Sequence, residues 1–282
     1  MTQIAANLVD LTDQQFRTIS GLVKCLCGIN LHEGKRALVR ARLAKRLRVL
    51  GLRDFGQYID RVLQDTDGGE TLTMLDAIST NLTYFFREPT HFQVLAKDLV
   101  PAVRARSGNR RKIRIWSAGC SSGEEPYSIA VTLRQAMPDV ALWDVGILAT
   151  DLSAPMLRSA MRGVYGPSRL RDVPPEVLAE HFTPAGPKYG PGEYRVKDAV
   201  RRMIHFARLN LMEPWPMSGP FDAIFCRNVM IYFDKTTQQR LVERFCRHLV
   251  PGGLLMIGHS ESLTGVRHGL RYVRPSVYEN PS

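Results

Sequence analysis

The chain has 282 residues, 44% of them hydrophobic, enough for a sizeable core and for more than one average domain, so a mainly disordered chain is excluded. No run approaches the roughly 20 consecutive apolar residues of a membrane span, and MTQIAANLVDLTDQQ at the N-terminus has no basic segment followed by an apolar one, so direct membrane insertion is not expected. A net charge of +11 favours a negatively charged partner, whether nucleic acid, an anionic membrane surface or an acidic protein face, and five cysteines without a C-x-x-C pair fit a reducing cytoplasm and no structural zinc.

The N-terminal quarter reads as helices. Thr12 and Gln15 form a capping box, and Phe16, Ile19, Leu22, Val23 and Leu26 follow at helical spacing up to a turn at Gly28. A second helix, from about Gly34 to Leu50, sets Val39, Leu43, Leu47 and Leu50 on one face, with Lys35, Arg42 and Arg46 as a basic stripe beside it and Gly51 as its stop. Every ionisable residue between Lys35 and Arg53 is basic, which makes a localised site of electrostatic attraction one reading and a solvated helix face the other. Further helices are expected over Asp54–Leu63 and Glu70–Ser79, making residues 1–78 a small all-helical domain. Residues 79–109 read as a linker and helix. They contain TNLTYFFRE, in which Phe85 and Phe86 are core candidates while Asn81, Thr83 and Arg87 bring polar groups to a cleft.

From residue 110 onward, short apolar strands alternate with helical segments. Lys112–Ser117, Asp144–Thr150, Ile204–Phe206, Phe221–Cys226 and Leu254–Ile257 are the strand candidates, implying an α/β, doubly wound parallel sheet with ligands at its carboxyl ends. AGCSSGEEPYS (118–128) follows the first strand and opens a helix. Gly119 and Gly123 permit a tight turn, and the acids Glu124 and Glu125 would repel a pyrophosphate but suit a cofactor carrying an amino group and a sulfonium. S-adenosylmethionine has both. Asp151 in ATDLS ends the second strand, where an acid accepts ribose hydroxyls, or else caps the next helix. Residues 166–200, rich in glycine and proline before the β-like Glu193–Lys197, suggest an insertion built around a hairpin. FDAIFCRNVMIYFD (221–234) is a buried strand that delivers Arg227, Asn228 and Tyr232 to its carboxyl end, although Arg227 has a plainer reading as an ion-pair partner of Asp222 or Asp234. Gly269–Tyr278 reads as a last strand pair.

Together with LVPGGLLMIGHSES at 249–262, FFRE, GCSSGEEPYS and FCRNVMIYFD closely resemble the chemotaxis receptor methyltransferases, the CheR-type protein-glutamate O-methyltransferases, in order and over nearly the whole chain. The resemblance implies a Rossmann-like class I methyltransferase domain over residues 110–282, a helical substrate-recognition domain before it and a three-stranded antiparallel β insertion that contacts receptors. It implies that S-adenosylmethionine, and S-adenosylhomocysteine after transfer, are held through Asn81, Thr83, Arg87, Gly119, Glu124 or Glu125, Asp151, Asn210 with Leu211, and Arg227 with Asn228. The reaction implied is methyl transfer to glutamate carboxylates of methyl-accepting receptors, by a cytoplasmic, monomeric protein recruited to membrane receptor arrays. Arg87 and Tyr232 are candidates for holding the acceptor carboxylate, and Lys35, Arg42 and Arg46 for meeting the acidic receptor helix. Whether the insertion docks a receptor's C-terminal peptide stays open. Two other readings stand beside this one. A nucleic-acid methyltransferase is disfavoured because RNVMIYF replaces the Asn/Asp-Pro-Pro-aromatic run of base-amine methylating enzymes. A non-catalytic S-adenosylmethionine-sensing docking module is disfavoured by the intact set of cofactor positions.

Overall fold

In the computed structural model, which describes residues 10–281, Thr12 opens helix α1 (Asp13–Cys27) with a complete capping box. Its hydroxyl accepts from the Gln15 N–H at 3.3 Å and the Gln15 side chain accepts from the Thr12 N–H at 3.0 Å, satisfying two N–H groups that a helix start leaves orphaned. Gly28, at φ 78°, closes the helix. A 3-10 turn over Glu33–Lys35 leads into α2 (Arg36–Leu50), which therefore starts two residues later than the apolar periodicity suggests. Val39, Leu43, Ala44 and Leu47 are its buried residues, and Leu50, at the fraying end before Gly51, is half-buried. Asp54 caps α3 (Phe55–Leu63) by accepting from the Gln57 N–H at 2.9 Å, and α4 (Gly69–Ile78) completes the helical set.

The chain divides into two units, one containing the described residues up to Thr80 plus Tyr232–Asp234, the other Asn81–Ile231 and Lys235 onward. Three backbone and side-chain links account for the three displaced residues. Ile29 and Phe233 form an antiparallel bridge, the Asn30 N–H donates to the Tyr232 carbonyl at 2.7 Å, and Lys24 pairs with Asp234 at 2.8 Å.

The second unit begins with a helical run, α5 (Thr90–Val94), a π-type turn over Leu95–Leu99 and α6 (Val100–Ser107); the turn precedes Pro101, which has no N–H to continue an α ladder. Then come β1 (Lys112–Ala118), α7 (Glu124–Ala136), β2 (Asp144–Asp151), α8 (Ala154–Arg162), β3 (Val164–Tyr165), the short helices α9 (Pro167–Leu170) and α10 (Pro175–His181), β4 (Phe182–Pro184), β5 (Tyr194–Val196) and α11 (Asp198–Arg201). The chain ends with β6 (Ile204–Arg208), β7 (Phe221–Cys226), α12 (Lys235–His248), β8 (Leu249–Ile257), β9 (Arg271–Arg274) and β10 (Val277–Glu279). Seven strands form one sheet in the order β6-β2-β1-β7-β8-β10-β9. The first five are mutually parallel, and β10 runs antiparallel between β8 and β9. All six residues of β7 are buried, as expected of a central strand covered on both faces.

This is the α/β class implied by the alternation of strands and helices. The strand order reverses between β1 and β7, so their carboxyl ends frame the topological switch point where such sheets bind ligands. The insertion is a separate antiparallel sheet in the order β3-β5-β4. Its first strand starts at Val164, ahead of Gly166, because Gly163 in the left-handed conformation ends α8 and releases the chain directly into it. Strand β8 starts at Leu249, five residues before the apolar run read from sequence, with a register shift against β7 that absorbs Pro251 and Gly252. Among the described residues no helix is long and apolar enough to cross a membrane.

Candidate cofactor site

The loop after β1 turns on two glycines with φ of 92° and 98°. A Cβ on Gly119 would lie 2.5 Å from Val229 Cγ2, and one on Gly123 would lie 2.8 Å from Ala160 Cβ and 2.9 Å from the Tyr165 hydroxyl, so both positions demand glycine for space as well as for backbone conformation. The loop is bound to the end of β2, since the N–H groups of Gly119 and Cys120 both donate to the Thr150 carbonyl, at 2.8 and 2.9 Å. Asp151, half-buried, receives the Ser121 N–H on Oδ2 at 2.7 Å and the Ser153 N–H on Oδ1 at 2.8 Å. The cap of α8 is Ser153, whose hydroxyl accepts from the Met156 N–H. Asp151 thus braces both loops as a residue that is only partly buried. The Leu209 N–H donates to the Asp151 carbonyl at 3.1 Å, which brings Asn210 and Leu211 next to it; the Asn210 side chain accepts from the Met212 N–H and donates to Glu213.

The adjacent acids differ sharply. Glu124 is wholly buried, with Oε2 accepting from Ser122 at 2.7 Å and Oε1 from Arg169 at 2.8 Å. Arg169 also donates to the Thr83 carbonyl, at 3.1 Å, and the Ser121 hydroxyl donates to the Asn81 carbonyl at 2.9 Å, which fastens residues 81–83 to the glycine loop. Glu125 retains some exposed surface, its Oε1 accepting from Ser117 at 2.7 Å and its Oε2 paired with Arg227 at 3.0 Å. Burial pushes both carboxyls above the usual range, against the opposing pull of these partners.

Arg227 is no surface partner of Asp222 or Asp234: Asp222 pairs with Arg106 and Asp234 with Lys24. Its side chain is 2% exposed, and the guanidinium joins Glu125, Glu88 at 3.1 Å, and the Arg87 carbonyl, over the Phe92 ring. Burial raises the Glu88 carboxyl, but Arg227 and the His259 N–H outweigh it and hold the group below its ordinary value. Arg87 itself is half-buried, donates to the Leu82 carbonyl at 3.1 Å and lies over the Tyr84 ring at 5.6 Å. Glu261 organises the next turn: its carboxylate accepts from the N–H groups of Gly258, Asn228 and Ile231, joining the loops after β7 and β8.

Ten of the residues expected from sequence therefore converge within the sheet unit, around the carboxyl ends of β1, β2, β6 and β7: Asn81, Thr83, Arg87, Gly119, Glu124, Glu125, Asp151, Asn210, Arg227 and Asn228, with Leu211 beside them. Tyr232, Lys35, Arg42 and Arg46 belong to the helical unit instead. Arg42 donates to the carbonyls of Ile78 and Ser79 at the end of α4, and Arg46 forms a two-pronged pair with Glu70, which also accepts from the Tyr58 hydroxyl at 2.9 Å. The expected basic stripe is thus divided. Arg42 and Arg46 brace their own unit, while Lys35 and Lys45 are exposed.

Sequence reading missed Ser117, Ser121, Glu88, Arg169 and Glu261. Glu88, Ser121 and Glu261 lie in motif segments that the sequence singled out, whereas nothing in the sequence pointed to the roles of Ser117 and Arg169. Four of the six non-glycine residues with positive φ among the described residues, Phe86, Glu88, Ser121 and Asn228, also lie in these loops. Such conformations cost about 1–3 kcal/mol each and persist where surrounding contacts over-determine them.

A family model described as "CheR methyltransferase, SAM binding domain" matches residues 81–278, and another, "CheR methyltransferase, all-alpha domain", matches residues 14–79. The chain is 42% identical to the chemotaxis protein methyltransferase of Escherichia coli, over 95% of this chain and 91% of that one. It is 38% identical to the chemotaxis protein methyltransferase of Borreliella burgdorferi, over 96% and 95% of the two chains, and 42% identical to chemotaxis protein methyltransferase 2 of Pseudomonas aeruginosa, over 95% and 93%.

Proposed function

From the premise that this chain belongs to the CheR methyltransferase family, as an S-adenosylmethionine-dependent methyltransferase of chemotaxis, we propose that its acceptors are glutamate carboxylates on the cytoplasmic helices of methyl-accepting receptors. The observation that carries this reading is the meeting of the glycine loop with Glu125 and Asp151 at the switch point, inside the segment matched by the cofactor-binding family model. Residues 119–125 contain two acids and no base, a donor set that suits a cationic cofactor and opposes a pyrophosphate. Asp151 takes the ribose hydroxyls. Glu125 rather than Glu124 faces the amino acid end, because Glu124 has no exposed surface whereas Glu125 retains some. Asn81, Thr83, Arg87, Gly119, Asn210, Leu211 and Asn228 complete the site, and Arg227 works chiefly by holding Glu125 in place.

The bound cofactor supplies an electrophilic sulfonium methyl group. The acceptor side asks little of the protein, since a glutamate with an ordinary pKa near 4.3 is already an anionic nucleophile at neutral pH and needs no general base. The remaining task is alignment, which contributes up to about 7–11 kcal/mol in favourable cases. Arg87 and Tyr232 hold the acceptor carboxylate in line. Exposed bases of α2 and the turn before it, Lys45 and Lys35 among them, attract the acidic receptor helix, and the edge strands β3 and β4 suit the addition of a receptor peptide as a further strand. Recruitment to receptor arrays follows from such contacts.

The test is to incubate the purified chain with methyl-labelled S-adenosylmethionine and receptor-containing membranes, then treat the labelled receptor with base. Esters release labelled methanol, whereas N-methyl groups are stable. Label that survives base, or that enters nucleic acid rather than receptor, would overturn the reading, as would binding of the cofactor without any transfer.

A further inference from the structure

We propose that Glu88, His91 and His259 form a binding site for one divalent transition-metal ion of the zinc or cobalt class. His91 stands in α5, completely buried, and neither of its ring nitrogens has a hydrogen-bond partner. A buried imidazole with both nitrogens unsatisfied is rare in folded proteins and asks for an explanation. Its surroundings provide one. Nδ1 lies 3.5 Å from Glu88 Oε2, and the His259 ring meets the His91 ring edge-on with centroids 5.3 Å apart. One ligating atom from each of the three residues can be chosen so that all lie within 4.8 Å of one another.

Two imidazoles and a carboxylate make a three-ligand set that zinc accepts with a fourth position left for water, and that first-row divalent ions of intermediate softness share. Bonds of about 2.1 Å imply ligand-to-ligand edges of about 3.4 Å in a tetrahedral site, so the donors must draw together by about an ångström. His259 can supply that movement because its side chain is exposed at the end of β8. Glu88 is held ready by Arg227 on Oε2 and by the His259 N–H on Oε1 at 3.1 Å. The nearby guanidinium does not forbid a cation, since Arg227 is shared by Glu88 and Glu125 and the three charges sum to −1 when both acids are ionised. An ion there would tie the loop before α5 to the loop after β8.

Tag-free full-length protein, stripped of metal, is to be titrated with Co²⁺ by absorption spectroscopy and the retained metal counted after desalting. The site predicts one equivalent with the d–d bands of nitrogen and oxygen ligation, displaced by Zn²⁺, and a rise in melting temperature. His259→Ala, an exposed position that leaves the core intact, and His91→Gln should each weaken binding at least about 10-fold, no less than the loss of a group that merely orients a ligand. His32→Ala, exposed in the helical unit, should bind as the parent does. Binding that persists in His259→Ala and His91→Gln, or no retained Co²⁺ in the parent protein, would overturn the proposal. None of these readings depends on methyl transfer.

Discussion

Arg46 and Lys35 lie in the same basic run, yet the structure gives them opposite work. Arg46 neutralises Glu70, a buried carboxylate that also receives the Tyr58 hydroxyl, so removing the guanidinium leaves an acid without its main partner. Arg46→Ala should therefore lower stability by about 1.5–3 kcal/mol, the range for hydrogen bonds to charged groups, and thermal melts of the purified variant will show it. An unchanged melting temperature would mean that the pair contributes nothing net. The contrast was invisible in the amino-acid order because Glu70 stands 24 residues from Arg46 and reaches it only through the packing of α2 on α4. Glu124 and Glu125 illustrate the same limit. Neighbours in sequence, they point to different partners, and nothing local distinguishes the one locked by Arg169 from the one set beside Arg227.

At the level of elements, the patterns that could be read were those with a period. The capping box of α1, the apolar faces of the first helices and the five central strands all follow from repeats of 3.6 or 2 residues or from continuous burial. What lacked a period was lost: the early start of β8, the short helices α9 to α11, and the left-handed turns at Phe86, Glu88 and Ser121. Those turns are imposed by contacts with distant segments, such as the Phe86 N–H donating to the Ser128 hydroxyl of α7 at 2.9 Å. The glycine loop is the exception, its two glycines being visible in sequence and demanded in space. Gly123→Ala should place a methyl against Ala160 and the Tyr165 hydroxyl in a backbone conformation that alanine resists. The start of α7 must shift to admit it. Calorimetry should then show cofactor affinity reduced at least about tenfold, corresponding to about 1.4 kcal/mol or more, in a protein that remains folded by circular dichroism; parental affinity would show that the loop tolerates the shift.

For the whole molecule, the surplus of positive charge becomes a statement about encounter. With Arg42 and Arg46 occupied internally, the exposed Lys35, in the turn before α2, and Lys45 on α2 are the residues to reverse without unfolding the helix. Individually such charges are worth about 0.2–1 kcal/mol and are screened by salt. Lys35→Glu combined with Lys45→Glu should raise KM for receptor about three- to tenfold at low ionic strength, by this arithmetic, and flatten its salt dependence, with cofactor affinity unchanged. A parental KM across a salt series would remove α2 from substrate recognition.

Tyr232, Phe233 and Asp234 bear on how readily members of this family can exchange parts by recombination. Because these three residues pair with Ile29, Asn30 and Lys24 although they lie deep in the chain that builds the sheet, the helical unit is not a cassette with a single seam at Thr80. A hybrid that takes its first 80 residues from one relative and the rest from another inherits two sets of partners that never evolved together. Transplanting the triplet along with the helices would restore the native match, so successful shuffling calls for three crossover points instead of one.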